Sequence, residues 1–176
     1  MRVQPAICGG LLALLLVGGC APAGDGPAAS ESGRIIILMN GNSPFWDAVR
    51  VGLDAAAKEL NVNADLDTND ATPRGQVEKL RQYATQLDIK GVAISVTDGA
   101  NPAIAEAMQA LRDKGVHVIT IDSDVDRERF RDRRSYFIGT DNFEAGQQLG
   151  IAAKNLRPEG GEFVTFVGRT GAQNAI

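Results

Sequence analysis

Beginning at Arg34, short apolar runs end in clusters of Asn, Asp, Ser, Thr and Gly, after which apolar residues return at helical intervals. The first run, Ile35-Ile36-Ile37-Leu38-Met39, is continuous rather than alternating and predicts a strand buried on both faces. It delivers into Asn40-Gly41-Asn42-Ser43-Pro44-Phe45-Trp46, a turn of small amides and a hydroxyl followed by two adjacent aromatics. Phe45, Val49, Leu53, Ala56, Ala57 and Leu60 then mark the buried stripe of a helix. A second strand is predicted over 62–66, leading to Asp67-Thr68-Asn69-Asp70. Pro73 opens a helix that would bury Val77, Leu80, Ala84 and Leu87. A third strand over 91–96 ends at Thr97-Asp98-Gly99. Pro102 opens a helix with Ile104, Ala107, Met108 and Leu111 inward, closed by Lys114-Gly115. A fourth strand over 116–121 stops at Asp122-Ser123-Asp124. Such an alternation, joined by right-handed crossovers, predicts an α/β fold with a parallel, doubly wound sheet and helices on both faces.

Beyond Asp124 the pattern loosens. Arg127, Arg129, Arg131, Arg133 and Arg134 interleave with Asp126, Glu128 and Asp132 around Phe130, which reads as a solvated loop or short surface helix. A docking surface for a partner is the sharper alternative. A strand over 135–140 is followed by Asp141-Asn142 as an N-cap. The helix after it would bury Phe143, Gly146, Leu149 and Ala153. A last strand, 162–167, runs into Gly168-Arg169-Thr170-Gly171-Ala172-Gln173-Asn174.

The N-terminus adds a compartment. Arg2 precedes an apolar stretch, Leu11 to Val17, that is short for a bilayer span and is followed by small residues, so residues 1–19 read as an export signal. Val17-Gly18-Gly19-Cys20 resembles the bacterial lipobox, which implies acylation of Cys20 and attachment to a membrane of the cell envelope. Cys8 would leave with the signal, so a thiol enzyme or a cysteine metal site is not expected. Residues 20–33, the lipidated cysteine and a segment rich in Ala, Pro, Gly, Ser and acids, form a flexible tether of roughly 20 Å span. A net charge of -4 argues against nucleic acid as a partner.

The groups that follow the strands collect where an open α/β sheet binds small molecules. They are Asn42, Ser43, Phe45 and Trp46; Asp67 and Asn69; Thr97 and Asp98; Asp122, Ser123 and Asp124; and Arg169, Gln173 and Asn174. Aromatic faces with carboxylates, amides and hydroxyls suit a sugar. Its C–H face packs on a ring, its hydroxyl protons go to carboxylates, and its oxygens accept from amides or Arg. Turns are also rich in Asn, Asp, Ser and Gly for backbone reasons, which accounts for Asn69 and Gly99 but poorly for Phe45 beside Trp46. Enzyme readings lack their motifs. No Gly-x-Gly-x-x-Gly, Gly-x-x-x-x-Gly-Lys-Ser/Thr or Gly-x-Ser-x-Gly occurs, and the one histidine, His117, sits inside a strand pattern. Asp122 and Asp124 could form an acid/base or metal pair, but no His or clustered Glu stands with them. Neither catalysis, nor a cofactor, nor a metal is expected.

With those residues in view, the chain resembles a periplasmic sugar-binding protein of the ribose/galactose type, the substrate-binding component of a bacterial ABC importer. The most specific parts are Asn42-Ser43-Pro44-Phe45-Trp46, Val118-Ile119-Thr120-Ile121-Asp122, Ile138-Gly139-Thr140-Asp141-Asn142 with Gly146, and Gly168…Gly171…Asn174. The resemblance implies a type I periplasmic-binding-protein fold whose two lobes close on a ligand like a hinged trap. It places the first lobe at 34–139, nearly complete, and a second lobe, only begun, at 140–176. The chain is accordingly expected to be truncated at its C-terminus, with 143–176 less stable than the first lobe and sugar binding weak or absent. The resemblance also implies that Phe45 and Trp46 flank the sugar ring, that Asp122 binds its hydroxyls, and that Asn174 reaches in from the second lobe. Asn42, Ser43, Asp98 and Ser123 complete the expected ligand contacts. Ser43 stands where related proteins often have Asn or Asp, and Ser123 where ribose binders have Arg, which weighs against ribose itself. The expected partners are a sugar or sugar-like ligand, an ABC permease, and the membrane through the lipid anchor. A sensory protein reporting a sugar-like signal to a membrane receptor is the alternative. A lactose-repressor-like regulator would need a helix-turn-helix before Arg34, where the signal peptide stands instead.

Overall fold

Parallel strands cannot be joined by hairpins, so the chain must climb over the sheet after each one, and the order of those climbs sets the topology. The computed structural model describes residues 33–166. Strands β1 (Arg34–Leu38), β2 (Asn63–Asp67), β3 (Ile89–Ile94), β4 (His117–Ile121) and β5 (Phe137–Ile138) form one parallel sheet of order β2-β1-β3-β4-β5. In register, Ile36 lies opposite Asp65 on one side and Val92 on the other, and Val92 lies opposite Val118. Helices α1 (Pro44–Leu60), α2 (Pro73–Tyr83) and α3 (Pro102–Arg112) are the crossovers, and α4 (Asn142–Leu156) follows β5. The Asp126–Arg134 stretch is a surface connection containing one 3₁₀ turn, Arg131–Arg133.

Proline at the first helical position starts α1, α2 and α3, where its missing N–H costs nothing. Thr72 caps α2 by accepting the Gly75 N–H at 3.0 Å, Asn101 caps α3 through Ala103 N–H, and Asp141 caps α4 through Glu144 N–H. The α1 connection steps outward from β1 to β2, and the α2 connection steps back across β1 to β3. Right-handed crossovers therefore put α1 on one face and α2 with α3 on the other.

The α2–α3 face is the closed one. Ile36, Leu38, Val92, Ile94 and Val118 pack there beneath Val77, Leu80 and Tyr83 of α2 and Ile104, Met108 and Leu111 of α3. The opposite face has α1 as its one crossover helix among the described residues. Ile35 is 37 % exposed there, and Ile37, Ile119 and Ile121 are only half-buried. The first strand is thus buried on one face rather than both.

Other expectations shift for related reasons. In α1 the buried side chain is Trp46, with Val49, Leu53 and Ala57 half-buried, while Phe45, Ala56 and Leu60 are exposed. The stripe is rotated because α1 meets the sheet beside β2 and, among the described residues, has no well-packed neighbouring helix to cover its flanks. In α2, Tyr83 takes the last buried position and the helix stops there, leaving Leu87 exposed beyond it. Phe143 and Leu149 of α4 are exposed and no α4 residue is buried, since no described element packs on its apolar side. The strand expected over 162–167 does not form: residues 162–166 carry no regular structure, a strand needing a neighbour to pair with, and 167 lies outside the described residues.

Ala71 has φ +61, a left-handed conformation that crowds its Cβ against the following carbonyl. Its N–H is held by Asn69 Oδ1 at 2.6 Å, and Asn69 in turn donates to the Met39 carbonyl at 2.6 Å, so the loop is pinned in that shape. Ala71→Gly removes about 1 kcal/mol of strain and gives back part of it as unfolded-chain entropy. A net stabilisation of about 0.5 kcal/mol is expected in urea denaturation; a lower midpoint would show that the alanine is not strained.

Candidate functional site

The winding reverses at β1: the α1 connection runs to β2 on one side of it, and the α2 connection returns to β3 on the other. The crevice outside the carboxyl ends of β1 and β3 is the switch point where open α/β sheets hold ligands. Three strand ends meet there, contributing Asn40 after β1, Ser95 after β3 and Asp122 after β4.

Asp122 is the singular backbone of this edge. Its φ is +58, its N–H extends the ladder to the Ile138 carbonyl at 3.0 Å, and the next N–H, of Ser123, folds back onto the Ile121 carbonyl at 2.6 Å. A three-residue turn with a non-glycine residue in the left-handed region is strained, and such strain collects at functional sites. The turn lets the Asp122 carboxylate accept from the Ser95 hydroxyl at 2.8 Å and the Asn40 amide at 3.4 Å. An ionised carboxylate has about four lone-pair sites, so these two donors leave acceptor capacity on a half-buried group.

Asp124, two residues on, has a different role. Its carboxylate is fully buried and forked by Arg134, with Nε at 2.7 Å and Nη2 at 2.6 Å. It also accepts from the Thr120 hydroxyl at 2.6 Å, the Val125 N–H at 2.9 Å and Arg127 at 3.2 Å. Burial pushes this carboxyl up, but the Arg134 guanidinium and the Thr120 hydroxyl outweigh it and hold it below the usual carboxylate range. Arg127 and Arg134 also lie over the Phe137 ring, 5.0 and 5.9 Å from its centroid. Asp124 therefore anchors the charged connection to β5 and has no free edge for a ligand. That connection is less solvated than its composition suggests, because two of its arginines end in this buried cluster.

Beyond β1 on the β2 side lies a cleft of about 460 Å³, lined among others by Asn42, Ser43, Trp46, Asp47, Arg50 and Thr68. Trp46 is only 4 % exposed and meets Phe45 in a T-shaped contact, 5.0 Å between centroids at 79°. Phe45 itself is 54 % exposed. The two rings are thus unequal, one packed into the cleft wall and one projecting. Asn42 accepts the Thr68 hydroxyl at 3.0 Å, and Ser43 precedes α1 without a capping bond from its side chain.

The expected site residues divide accordingly. Asn42, Ser43 and Trp46 share the cleft with Phe45 beside it, and Asp122 stands across β1 from them, linked by Asn40. Asp98 closes the turn into α3, its carboxylate accepting the Ala100 N–H at 3.1 Å and its carbonyl the Asn101 N–H at 3.2 Å. The Ser123 side chain is buried, its hydroxyl without a hydrogen-bond partner among the described residues. Cys20, the tether before Gly33, Arg169, Gln173 and Asn174 lie outside the described residues. Sequence reasoning missed Ser95, Asn40 and Gln76. Ser95 left a signal, as the one polar residue inside an apolar run, whereas Gln76 looks like any polar residue of an amphipathic helix. Among the described residues no group of His, Cys, Asp and Glu could hold a metal ion, and no helix is long and apolar enough to cross a membrane.

Residues 35–176 match the family described as periplasmic binding protein domain. The D-allose-binding periplasmic protein of Escherichia coli K12 is 24 % identical over 141 residues, covering 77 % of this chain and 45 % of its own length. Among solved structures, an ABC transporter solute-binding protein from Burkholderia graminis in complex with D-arabinose superposes with a TM-score of 0.73 at 24 % identity, covering 81 % of this chain and 47 % of that one. The fructose-binding periplasmic domain of a hybrid two-component system gives 0.72 at 19 %, covering 81 % and 46 %. The chain thus spans about half the length of the relatives it matches, and the superpositions carry the same fold.

Asp124→Asn leaves the Arg134 guanidinium buried without its counter-charge and is expected to cost about 3 kcal/mol at pH 7. The folded carboxyl titrates below its unfolded value of about 3.9, so its contribution is present above that value and lost as pH falls through the folded one. Stability curves of wild type and variant, measured by urea denaturation from neutral to acid pH, are expected to converge in acid. Parallel curves would show that the ion pair does not contribute.

Proposed function

The chain belongs to the periplasmic binding protein domain family, and on that premise we propose that it captures a sugar or sugar-like molecule outside the cytoplasm and delivers it to an ABC transporter permease. The observation that carries the reading is the Asp122 carboxylate, held in a strained turn at the switch point with Ser95 and Asn40 as its donors. A carboxylate with spare acceptor capacity suits a ligand rich in hydroxyl donors, and the Trp46–Phe45 pair offers apolar surface to a sugar's C–H face. D-allose and D-arabinose in the names of similar proteins support the same ligand class. Ser43 and Asn42 would add hydroxyl and amide groups from the α1 side, while Ser123, Asp98 and, from the 140–176 segment, Asn174 are weaker assignments of the same proposal. Cys20 would carry the lipid that keeps the protein at the membrane, with residues 140–176 beginning a second lobe. No step in this reading breaks a covalent bond. The fructose-binding domain of a two-component system favours a second reading, in which the bound sugar is reported to a membrane receptor instead of imported.

A thermal-shift screen of a full-length version, with its second lobe complete, against pentoses, hexoses, polyols and nucleosides tests the ligand class. A ligand at roughly a hundred times its Kd stabilises by about 2.7 kcal/mol, which moves the midpoint by several degrees. The shift is expected with one or more sugars and is expected to vanish in Trp46→Ala and in Asp122→Ala. A shift with amino acids and none with any sugar would overturn the reading.

A further inference from the structure

The α2 side chain nearest the crevice is neither exposed nor apolar. Gln76, in the first turn of α2, is fully buried, and all four of its amide hydrogen-bonding positions are used. Its Oε1 accepts from the Thr97 N–H and from the Thr97 hydroxyl, each at 3.0 Å. Its Nε2 donates to the Ser95 carbonyl at 2.7 Å and to the Met39 carbonyl at 3.4 Å. Reversing the amide would point NH₂ at an N–H and oxygen at two carbonyls, so its orientation is forced. These partners are the residues at which β1 and β3 leave the sheet and lose their ladder partners. One side chain from the helix behind thus ties both exits together. Ser95 is gripped on both sides of its Cα, its N–H by the Leu38 carbonyl at 2.9 Å and its carbonyl by Gln76, and its hydroxyl then reaches Asp122 at 2.8 Å.

We propose that Gln76 is a positioning residue for the crevice, fixing the gap between the β1 and β3 exits and, through Ser95, the place of the Asp122 carboxylate. The effect on ligand binding rests on the sugar-site reading given above; the effect on the crevice backbone does not. No ligand need touch Gln76 for its loss to be felt, because a hydroxyl misplaced by a fraction of an ångström can no longer donate well to the carboxylate.

Four variants test this, with thermal midpoints and hydrogen exchange read in this chain and sugar binding in a full-length version. Gln76→Glu keeps the shape but presents an oxygen to the Ser95 and Met39 carbonyls. Burial and those carbonyls hold the new carboxyl above its unfolded value of about 4.3, so its protonated, donating form is favoured as pH falls. Its deficit in thermal midpoint against wild type is expected to shrink between pH 8 and pH 5. Gln76→Leu is expected to speed hydrogen exchange at the Thr97 amide by about tenfold relative to amides within β1 and β3. Leu80→Val, a core change of comparable global cost, speeds all of them alike. With D-allose, D-arabinose and D-fructose as probes, Gln76→Leu is expected to weaken any binding by about tenfold while Leu80→Val leaves it unchanged. Uniform exchange in Gln76→Leu, or unchanged affinity for a sugar that wild type binds, would overturn the proposal. If the full-length version binds none of the sugars, the sugar reading fails and exchange at Thr97 alone decides the role of Gln76. Should Gln76→Leu not fold, Thr97→Val removes one donor from the same amide, and a local rise in exchange at the Thr97 amide supports the proposal where none overturns it.

Discussion

The carboxyl edge of a parallel sheet is a line of backbone groups that have run out of partners. Within β1 and β3 backbone groups are matched across the ladder; beyond the strand ends the chain must turn away, and its polar groups are either hydrated or bonded by something else. In this protein they are bonded. Gln76 takes the carbonyls of Ser95 and Met39 and the N–H of Thr97, Asn69 takes Met39 again, and the Ser123 carbonyl takes the Val96 N–H at 3.0 Å. The opening at that edge has walls with fixed positions because these bonds are made. A net hydrogen bond stabilises by only about 1 kcal/mol, but a buried group left unsatisfied costs more, so the set discriminates strongly against any other arrangement of the exits.

The polar groups of the same edge fall into two kinds. Asp124 and Gln76 are saturated by the protein, Asn69 is bonded to it through both ends of its amide, and all three hold the scaffold. Asp122 is unsaturated and held in a conformation that costs energy, which a neighbouring ladder bond and the Arg134–Asp124 fork make tolerable. Two aspartates separated by one residue would share a face in an extended strand; they diverge here because the left-handed backbone at Asp122, φ +58, and the turn closed by the Ser123 N–H break the strand's alternation. One meets a buried arginine and the other meets a serine hydroxyl and an asparagine amide with acceptor capacity left over.

The alternation of apolar runs and helical stripes made the parallel α/β sheet legible, as did the prolines that open three helices and the acids and amides that follow the strands. Three things were not. The rotation of α1, which buries Trp46 and turns Phe45 outward, depends on which neighbours flank the helix, and a helical period alone is compatible with either register. Exposure of α4 and the missing strand after it reflect tertiary partners, which local pattern cannot report. The supports of the site were hidden for a chemical reason. Ser95 and Gln76 are polar residues at buried positions, and a sequence shows polarity but not the backbone atoms that neutralise it.

The two halves of the candidate site rest on unequal foundations. The Asp122 half stands over the face closed by α2 and α3, where Gln76, Leu80, Met108 and Leu111 have no measurable exposure and Gln76 bonds the exits of β1 and β3. The half with Asn42, Ser43, Phe45 and Trp46 is carried by α1, whose one buried side chain is Trp46 and whose leading Ser43 makes no side-chain cap. A group held by many buried contacts resists displacement more than one held by a single anchor. Hydrogen bonds to a carboxylate demand fixed distance and angle, whereas an aromatic face tolerates a sliding contact with C–H groups. The rigid scaffold therefore supports the interaction that needs rigidity, and the looser helix supports the one that can accommodate ligands of different shape.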